Sequence, residues 1–167
     1  VLYIEKLSAT HDLQDFDCGS DDLNRFLLRY ALQNQQSNSA QTYVACTDNR
    51  VLGYYSLTVG AVTHEEAPTR VTKGLAKHPI PVMILARLAI DKQEQGKGIG
   101  RGLLKDALQR TFQAADIAGI RALLVHAKDD EAKVWYQQFD FEPSSTDALH
   151  LFLLMKDIKK ILQDTQT

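Results

Sequence analysis

The stretch QEQGKGIGRGLL, Gln93 to Leu104, sets Gly96, Gly98, Gly100 and Gly102 at the start of a helical pattern. Glycine costs helix stability, so this density points to a use for bare backbone. A helix N-terminus leaves amide N–H groups without intrahelical acceptors and carries the positive end of the dipole. Without side chains in the way, a phosphate can reach those amides. The spacing Gln93-x-x-Gly96-x-Gly98-x-Gly100 therefore reads as an anion-binding loop, with a plain strand-to-helix connection as the alternative. It is not a P-loop, because no Gly-Lys-Ser/Thr closes it. It also lacks the G-x-G-x-x-G spacing of a dinucleotide site near the first strand of a βαβ unit.

Two other residue types could do chemistry. His126 closes the apolar run IRALLVHA and could take a proton near neutral pH, or serve only as a hydrogen-bonding residue. Cys18 and Cys46 lack metal-ligand spacing and are too few for a disulfide scaffold. Neither has an evident partner base to make it a nucleophile.

The elements that must position these residues follow from patterning. Val1 to Leu7 alternates weakly and predicts a first strand. In FDCGSDDLNRFLLRYALQNQ, Ser20 suits an N-cap and Asp21 and Asp22 suit the first helical turn. Leu23, Phe26, Leu27 and Tyr30 form an apolar stripe at helical spacing. QTYVACTD and RVLGYYSLTVGAV are rich in β-branched and aromatic residues around Asp48-Asn49, which predicts a hairpin. Thr63 to Lys77 is a polar, irregular excursion. PVMILARLAID suits a strand buried on both faces and leads into the glycine loop. The following helix buries Leu103, Leu104, Ala107, Leu108, Phe112 and Ala115, and Gly119 suits its exit. IRALLVHAK is another buried strand, DDEAKVWYQQFDF a short helix, and HLFLLMKDIKKIL a strand passing into a basic amphipathic tail. This order is that of a mixed α/β layer fold, expected as a single domain over residues 1–167.

Composition narrows the function classes. The chain has 167 residues, enough for one real core. Its formal net charge of -2 argues against a protein that coats nucleic acid, though not against a local basic patch. No apolar run reaches transmembrane length, and VLYIEKLSATHD does not read as a signal peptide. The expected location is the cytoplasm, with no membrane partner and no metal.

Gln-x-x-Gly-x-Gly after a strand beginning near Val82 resembles the acetyl-coenzyme A loop of the GNAT acetyltransferases. LARLAID, GKGIG and GLL-x-DAL are similar to the family's central motif, and the element order agrees along nearly the whole chain. The resemblance implies the GNAT fold, a mixed central β-sheet flanked by α-helices. It implies that the strand backbone at Leu88, Ala89 and Ile90 pairs with the pantetheine arm of acetyl-CoA. It further implies that the loop Gln93, Gln95, Gly96, Lys97, Gly98, Ile99, Gly100 and Arg101 binds the coenzyme, its amides on the pyrophosphate and Lys97 and Arg101 on phosphates. FDCGSDDLNRFL, LLVHAKDDEAKVWYQQFDFEP and LFLLMKDI resemble more narrowly the GNAT toxins of type II toxin–antitoxin pairs. These acetylate the amino group of the amino acid on charged tRNA, which blocks translation. The implied partners are aminoacyl-tRNA and a small ribbon-helix-helix antitoxin, and the implied assembly is a homodimer.

Acetyl transfer from a thioester needs a neutral amine, a stabilised oxyanion and a proton for the leaving thiolate. Tyr136, in AKVWYQQFDF, stands where the resemblance places the general acid. A tyrosine with a pKa of about 10 stays protonated at neutral pH. The alternative for Tyr136 is packing with Trp135 and Phe139. The strand before the loop carries only Arg87 and Asp91 as charged residues, so no glutamate there can deprotonate a lysine. An aminoacyl α-amine titrates at about 8 or below and needs no strong base, which favours charged tRNA as the acceptor. Arg25, Arg29, Arg70, Lys73, Lys77 and Arg87 are the candidate cations for tRNA phosphates. A GNAT enzyme acting on a metabolite amine or protein N-terminus is the competing reading, and a non-catalytic binding module is the third.

Overall fold

The computed structural model describes residues 1–164. The chain forms two compact units, one of Val1–Thr58 with Ala86–Ala107, the other of Val59–Leu85 with the chain from Leu108 onward. Among the described residues seven strands form a mixed sheet in the order β1-β2-β3-β4-β5-β7-β6. The mixed sheet flanked by helices agrees with the expected fold class.

In the first unit, β1 (Tyr3–Lys6) pairs antiparallel with β2 (Gln41–Thr47). β2 pairs antiparallel with β3 (Arg50–Val62). Their turn is the expected Asp48-Asn49, with φ of 49° and 65°. Asn and Asp tolerate that left-handed pair, which matches the twist of the strands. Ser20 caps α1 (Asp21–Arg25), its side chain accepting from the Leu23 N–H. The first helix is not one regular rod. It widens into a π-helical segment over Phe26–Tyr30, where the Ala31 N–H donates to the Phe26 carbonyl, then resumes as α2 (Ala31–Gln36). The wider turn rotates the apolar stripe. Phe26, Leu27 and Ala31 enter the core, while Tyr30, which α-helical spacing assigns to it, is 48% exposed. Tyr54 anchors this core, with Phe16 edge-on and Phe26 stacked on its ring.

Gly53 is required by close approach. A Cβ there would lie 2.9 Å from Ile90 Cδ1 and 3.2 Å from the Ala89 carbonyl oxygen. That brings β3 tightly against the end of β4 (Ile80–Ile90), next to the glycine loop. The C-terminal half of β4 is half-buried at Arg87, Leu88 and Ile90, so burial on both faces holds only for its first half.

In the second unit, the start of β4 pairs in parallel with β5 (Ala122–His126), from Val82↔Ala122 to Leu85↔Val125. β5 pairs antiparallel with β7 (His150–Leu154). β7 in turn pairs with the two-residue β6 (Glu142–Pro143), which no sequence pattern announces. The excursion contains one short helix, α3 (Thr69–Thr72). α4 (Ile99–Ala115) passes from the first unit into the second. Phe112, assigned to its buried face, is 39% exposed, whereas Thr111 is fully buried. Phe112 instead lies beneath Lys159 of α6 (Met155–Asp164), with 5.9 Å from ring centroid to Nζ. The short helix α5 spans Asp130–Gln137.

Candidate active site

The glycine loop has the backbone an anion site needs. Gly96 and Gly98 adopt φ of +82° and +85°, and nothing lies within 4 Å of where a Cβ would stand on either. α4 starts directly after, at Ile99. The amides that open this helix lack intrahelical acceptors, and the bare glycines leave an anion room to approach them. This fits the diphosphate of a coenzyme. The loop residues Gln93, Gln95, Gly96, Lys97 and Gly98 are exposed, and Ile99 is buried as the helix's anchor. Lys97 is paired with Glu94 at 2.9 Å, so its charge is partly matched within the loop. Gln95 Nε2 donates to the Ile90 carbonyl at 3.2 Å and holds the loop against the strand end. Arg101 is exposed on the first turn. Leu88 and Ile90 are half-buried and Ala89 is 6% exposed, on the strand that leads into the loop.

The base of this loop rests on residues that patterning did not single out. Asp91, 3% exposed, accepts from the Gln93 N–H at 2.9 Å and from the Asp17 N–H at 3.2 Å. On the helix behind the loop, Asp106 accepts from the Tyr55 hydroxyl at 2.5 Å. Both are acids within otherwise ordinary strand and helix patterns, so only their long-range partners reveal them.

In the second unit, Asp129 caps α5, its side chain accepting from the Ala132 N–H at 2.8 Å. Asp130 and Glu131 fill the first turn. This short helix presents Tyr136, 8% exposed, between Trp135 and Phe141 with ring centroids at 5.0 and 5.4 Å. Burial pushes its phenol well above the usual tyrosine range. Among the described residues the hydroxyl makes no hydrogen bond, yet Gln41 Oε1 is the only sealed side-chain polar atom without a partner. The ring is therefore clamped while the hydroxyl keeps an opening. Trp135 and Phe139, just past the end of α5, pack together at 5.0 Å, so aromatic packing and the phenol coexist in this segment.

His126 does not stand alone. It stacks on His150 at 4.0 Å across paired positions of β5 and β7. Burial first, and the neighbouring His150 second, push its imidazole down, which favours the neutral form.

The six candidate cations divide by environment. Arg25 and Arg29 help line a cleft of about 220 Å³ beside α1, together with Leu13, Phe16, Leu28 and the acidic Asp21. Arg25 also meets Asp22 at 3.3 Å. Lys73 and Lys77 are exposed and make no ion pair among the described residues. Arg70 is committed elsewhere. It donates to Glu142 at 2.9 Å and to both oxygens of Asp157 at 2.8 and 3.1 Å. Arg87 lies 3.6 Å above the Phe26 ring, where the π segment offers its face.

One trio of metal-ligating side chains is assembled among the described residues, Glu5, His11 and Cys46. The Ser8 N–H donates to His11 Nδ1 at 2.9 Å, so the ring proton sits on Nε2 and donates to Glu5 at 2.6 Å. A metal-bound imidazole needs the opposite arrangement, a bare nitrogen toward the ion and an N–H toward an acceptor. The trio is a structural hydrogen-bonded contact. Cys18 is half-buried and Cys46 is buried.

Residues 38–143 match the acetyltransferase (GNAT) domain family. The chain is 46% identical over 159 residues to a tRNA-acetylating toxin of Mycobacterium tuberculosis, an alignment covering 95% of each protein. Among solved structures it is similar to AtaT complexed with acetyl-methionyl-tRNAfMet, at 31% identity and a TM-score of 0.91, covering 97% of this chain and 99% of that one. It is likewise similar to a tyrosine-to-phenylalanine mutant of AtaT bound to the C-terminus of the antitoxin AtaR and acetyl-CoA. That match has 31% identity, a TM-score of 0.84, and covers 98% and 99% of the two chains.

Proposed function

Because the chain belongs to the GNAT acetyltransferase family, we propose that it is a toxin that moves an acetyl group from acetyl-CoA to the α-amino group of aminoacyl-tRNA, blocking translation. The observation that carries the substrate is the full-length likeness to the mycobacterial tRNA-acetylating toxin. Residues 1–167 act as a single acetyltransferase domain in this reading.

The coenzyme supplies an activated acetyl thioester. The amides of Gly96 to Gly100 hold its diphosphate, with Gln93, Gln95, Lys97 and Arg101 around them. The backbone at Leu88, Ala89 and Ile90 aligns its arm. Support comes from the two left-handed glycines and the open space above them. As the amine nitrogen bonds the acetyl carbon, the carbon–sulfur bond breaks and Tyr136 gives its proton to the sulfur. The proton shed by the amine balances the one Tyr136 loses. A held ring and an unbonded hydroxyl suit that role, because a tyrosine phenol is protonated at neutral pH and can donate to the leaving thiolate.

The acceptor's phosphates meet Arg25 and Arg29 on the first helix, and Lys73 and Lys77 in the excursion. Arg70 serves the fold through its two carboxylates, and Arg87 braces Phe26. The partner is a ribbon-helix-helix antitoxin, the working form a homodimer, and the location the cytoplasm. The antitoxin assignment is supported by the neighbour solved with AtaR. No described helix is long and apolar enough to cross a membrane.

The test is labelled acetyl-CoA with a pool of total charged tRNA. Label should enter the RNA fraction and leave on mild alkaline hydrolysis as an N-acetyl amino acid. Label found instead on free amines would transfer the activity to a metabolite substrate.

A further inference from the structure

We propose that Asp91 is a positioning residue that ties the coenzyme loop to the turn opening the first helix, so that the two segments respond to coenzyme together. This rests on the reading of the glycine loop as the acetyl-CoA site.

The tie is reciprocal. The Asp17 N–H donates to Asp91 Oδ2 at 3.2 Å, and the Lys92 N–H donates to the Asp17 carbonyl at 2.8 Å. The other Asp91 oxygen accepts from the Gln93 N–H at 2.9 Å, at the first residue of the coenzyme loop. The Asp91 N–H itself donates to the Leu52 carbonyl at 2.9 Å, which anchors the backbone at Asp91 to β3. Asp91 is 3% exposed, so water cannot replace these partners.

From Asp17 the network runs into the helix. Asp17 Oδ1 accepts from Asn24 Nδ2 and from the Gly19 N–H, each at 2.9 Å. Lys92 Nζ closes on the other oxygen at 2.9 Å. Asn24 Oδ1 takes the Cys18 N–H at 2.9 Å. One residue further on stands Arg25, and then the π segment, whose Phe26 carries Arg87 of β4 on its face at 3.6 Å. Segment 16–30 is thus held by β4 and its exit at two separated points. One is a hydrogen-bonded knot at Asp91, the other a cation–π contact at Arg87. A buried carboxylate shared by two amides has one geometry that satisfies both. Ordering the loop on a diphosphate therefore favours the same geometry at Asp17, and by reciprocity the reverse.

Asp91→Asn splits the two functions. Asparagine readily makes the local turn to Gln93. Its amide then faces the Asp17 N–H, donor against donor. Hydrogen–deuterium exchange reads the outcome in peptides covering 16–30 and 93–104, with and without acetyl-CoA. In the wild type, coenzyme should slow exchange in both, by about tenfold in 16–30. In Asp91→Asn, exchange of 16–24 should rise about tenfold without coenzyme. Coenzyme should then protect only 93–104. Steady-state kinetics should show the KM for charged tRNA rising while the coenzyme Kd holds, whereas a purely structural defect lowers the active fraction and leaves both constants alone. Equal exchange of 16–24 in the two proteins overturns the proposal. Coenzyme protection of 93–104 without 16–30 in the wild type also overturns it. Failure of coenzyme to protect 93–104 in the wild type would instead strike the coenzyme reading, while the ligand-free comparison still decides the tie. Should Asp91→Asn fail to fold, Asn24→Ala breaks the same network at its far end and should give the same exchange pattern.

Discussion

The imidazoles of His126 and His150 stack 4.0 Å apart and 14° from parallel at directly paired positions of β5 and β7. Two imidazoliums at that distance repel, and the nearest counter-charge to the pair among the described residues is Asp147, 3.4 Å from His150 Nε2. Glu66 lies near enough to feel His150. The folded protein binds a proton at His126 less readily than the unfolded chain, whose imidazole titrates at 6.5. Stability present above pH 6.5 is therefore lost as pH falls through the lower folded value. Urea midpoints should drop between pH 7.5 and 5, and His126→Gln should flatten that slope. An unchanged slope in the variant would place the acid sensitivity elsewhere.

Gly98 tests the anion loop. Its φ of +85° disfavours any side chain, and a carboxylate there meets the diphosphate it must approach. Gly98→Glu should abolish acetyl-CoA binding by calorimetry while circular dichroism stays native. Retained affinity in a folded variant would remove the loop from the site.

Gly53 tests the packing behind that loop. A Cβ placed 2.9 Å from Ile90 Cδ1 and 3.0 Å from Leu103 Cδ1 must displace those side chains, and it crowds the Ala89 carbonyl at 3.2 Å. Gly53→Ala should lower unfolding free energy by about 1–3 kcal/mol, the usual cost of overpacking. Chemical denaturation measures it, and a neutral effect would mean the two side chains rotate away freely.

Tyr136→Phe should keep coenzyme affinity and lower turnover by about 10²–10⁴-fold, the range for a lost general acid. Because burial raises the phenol above its ordinary 10.0, the wild-type rate should show no loss of the acid up to that pH. A falling limb near pH 8–9 would assign the proton to another group.

Among the cations, Lys73 and Lys77 should matter to RNA and Arg70 should not. Replacing both lysines with glutamine should raise the KM for charged tRNA. It should also make the logarithmic salt slope less steep by about one to two units. Arg70→Gln should leave that slope unchanged, since Glu142 and Asp157 already occupy the guanidinium.

Much of this was legible in the sequence because it is local. Ser20 with Asp21 and Asp22, the Asp48-Asn49 turn and the Gly96/Gly98 pair each act within a few residues, and each stands where spacing puts it. The π segment was not legible, because Phe26 to Tyr30 carries ordinary helical residues, and packing selects the wider turn. Arg70 reads as a free cation because its partners Glu142 and Asp157 lie 72 and 87 residues away. Asp91 was hidden for the same reason, with Asp17 lying 74 residues before it.

The most direct measurement compares initial rates on charged tRNA, uncharged tRNA and a free aminoacyl analogue at one acetyl-CoA concentration. Charged tRNA alone should be acetylated, with the product's α-nitrogen blocked when the ester is hydrolysed and the released amino acid identified by mass. Equal rates on the free analogue and on charged tRNA would contradict it.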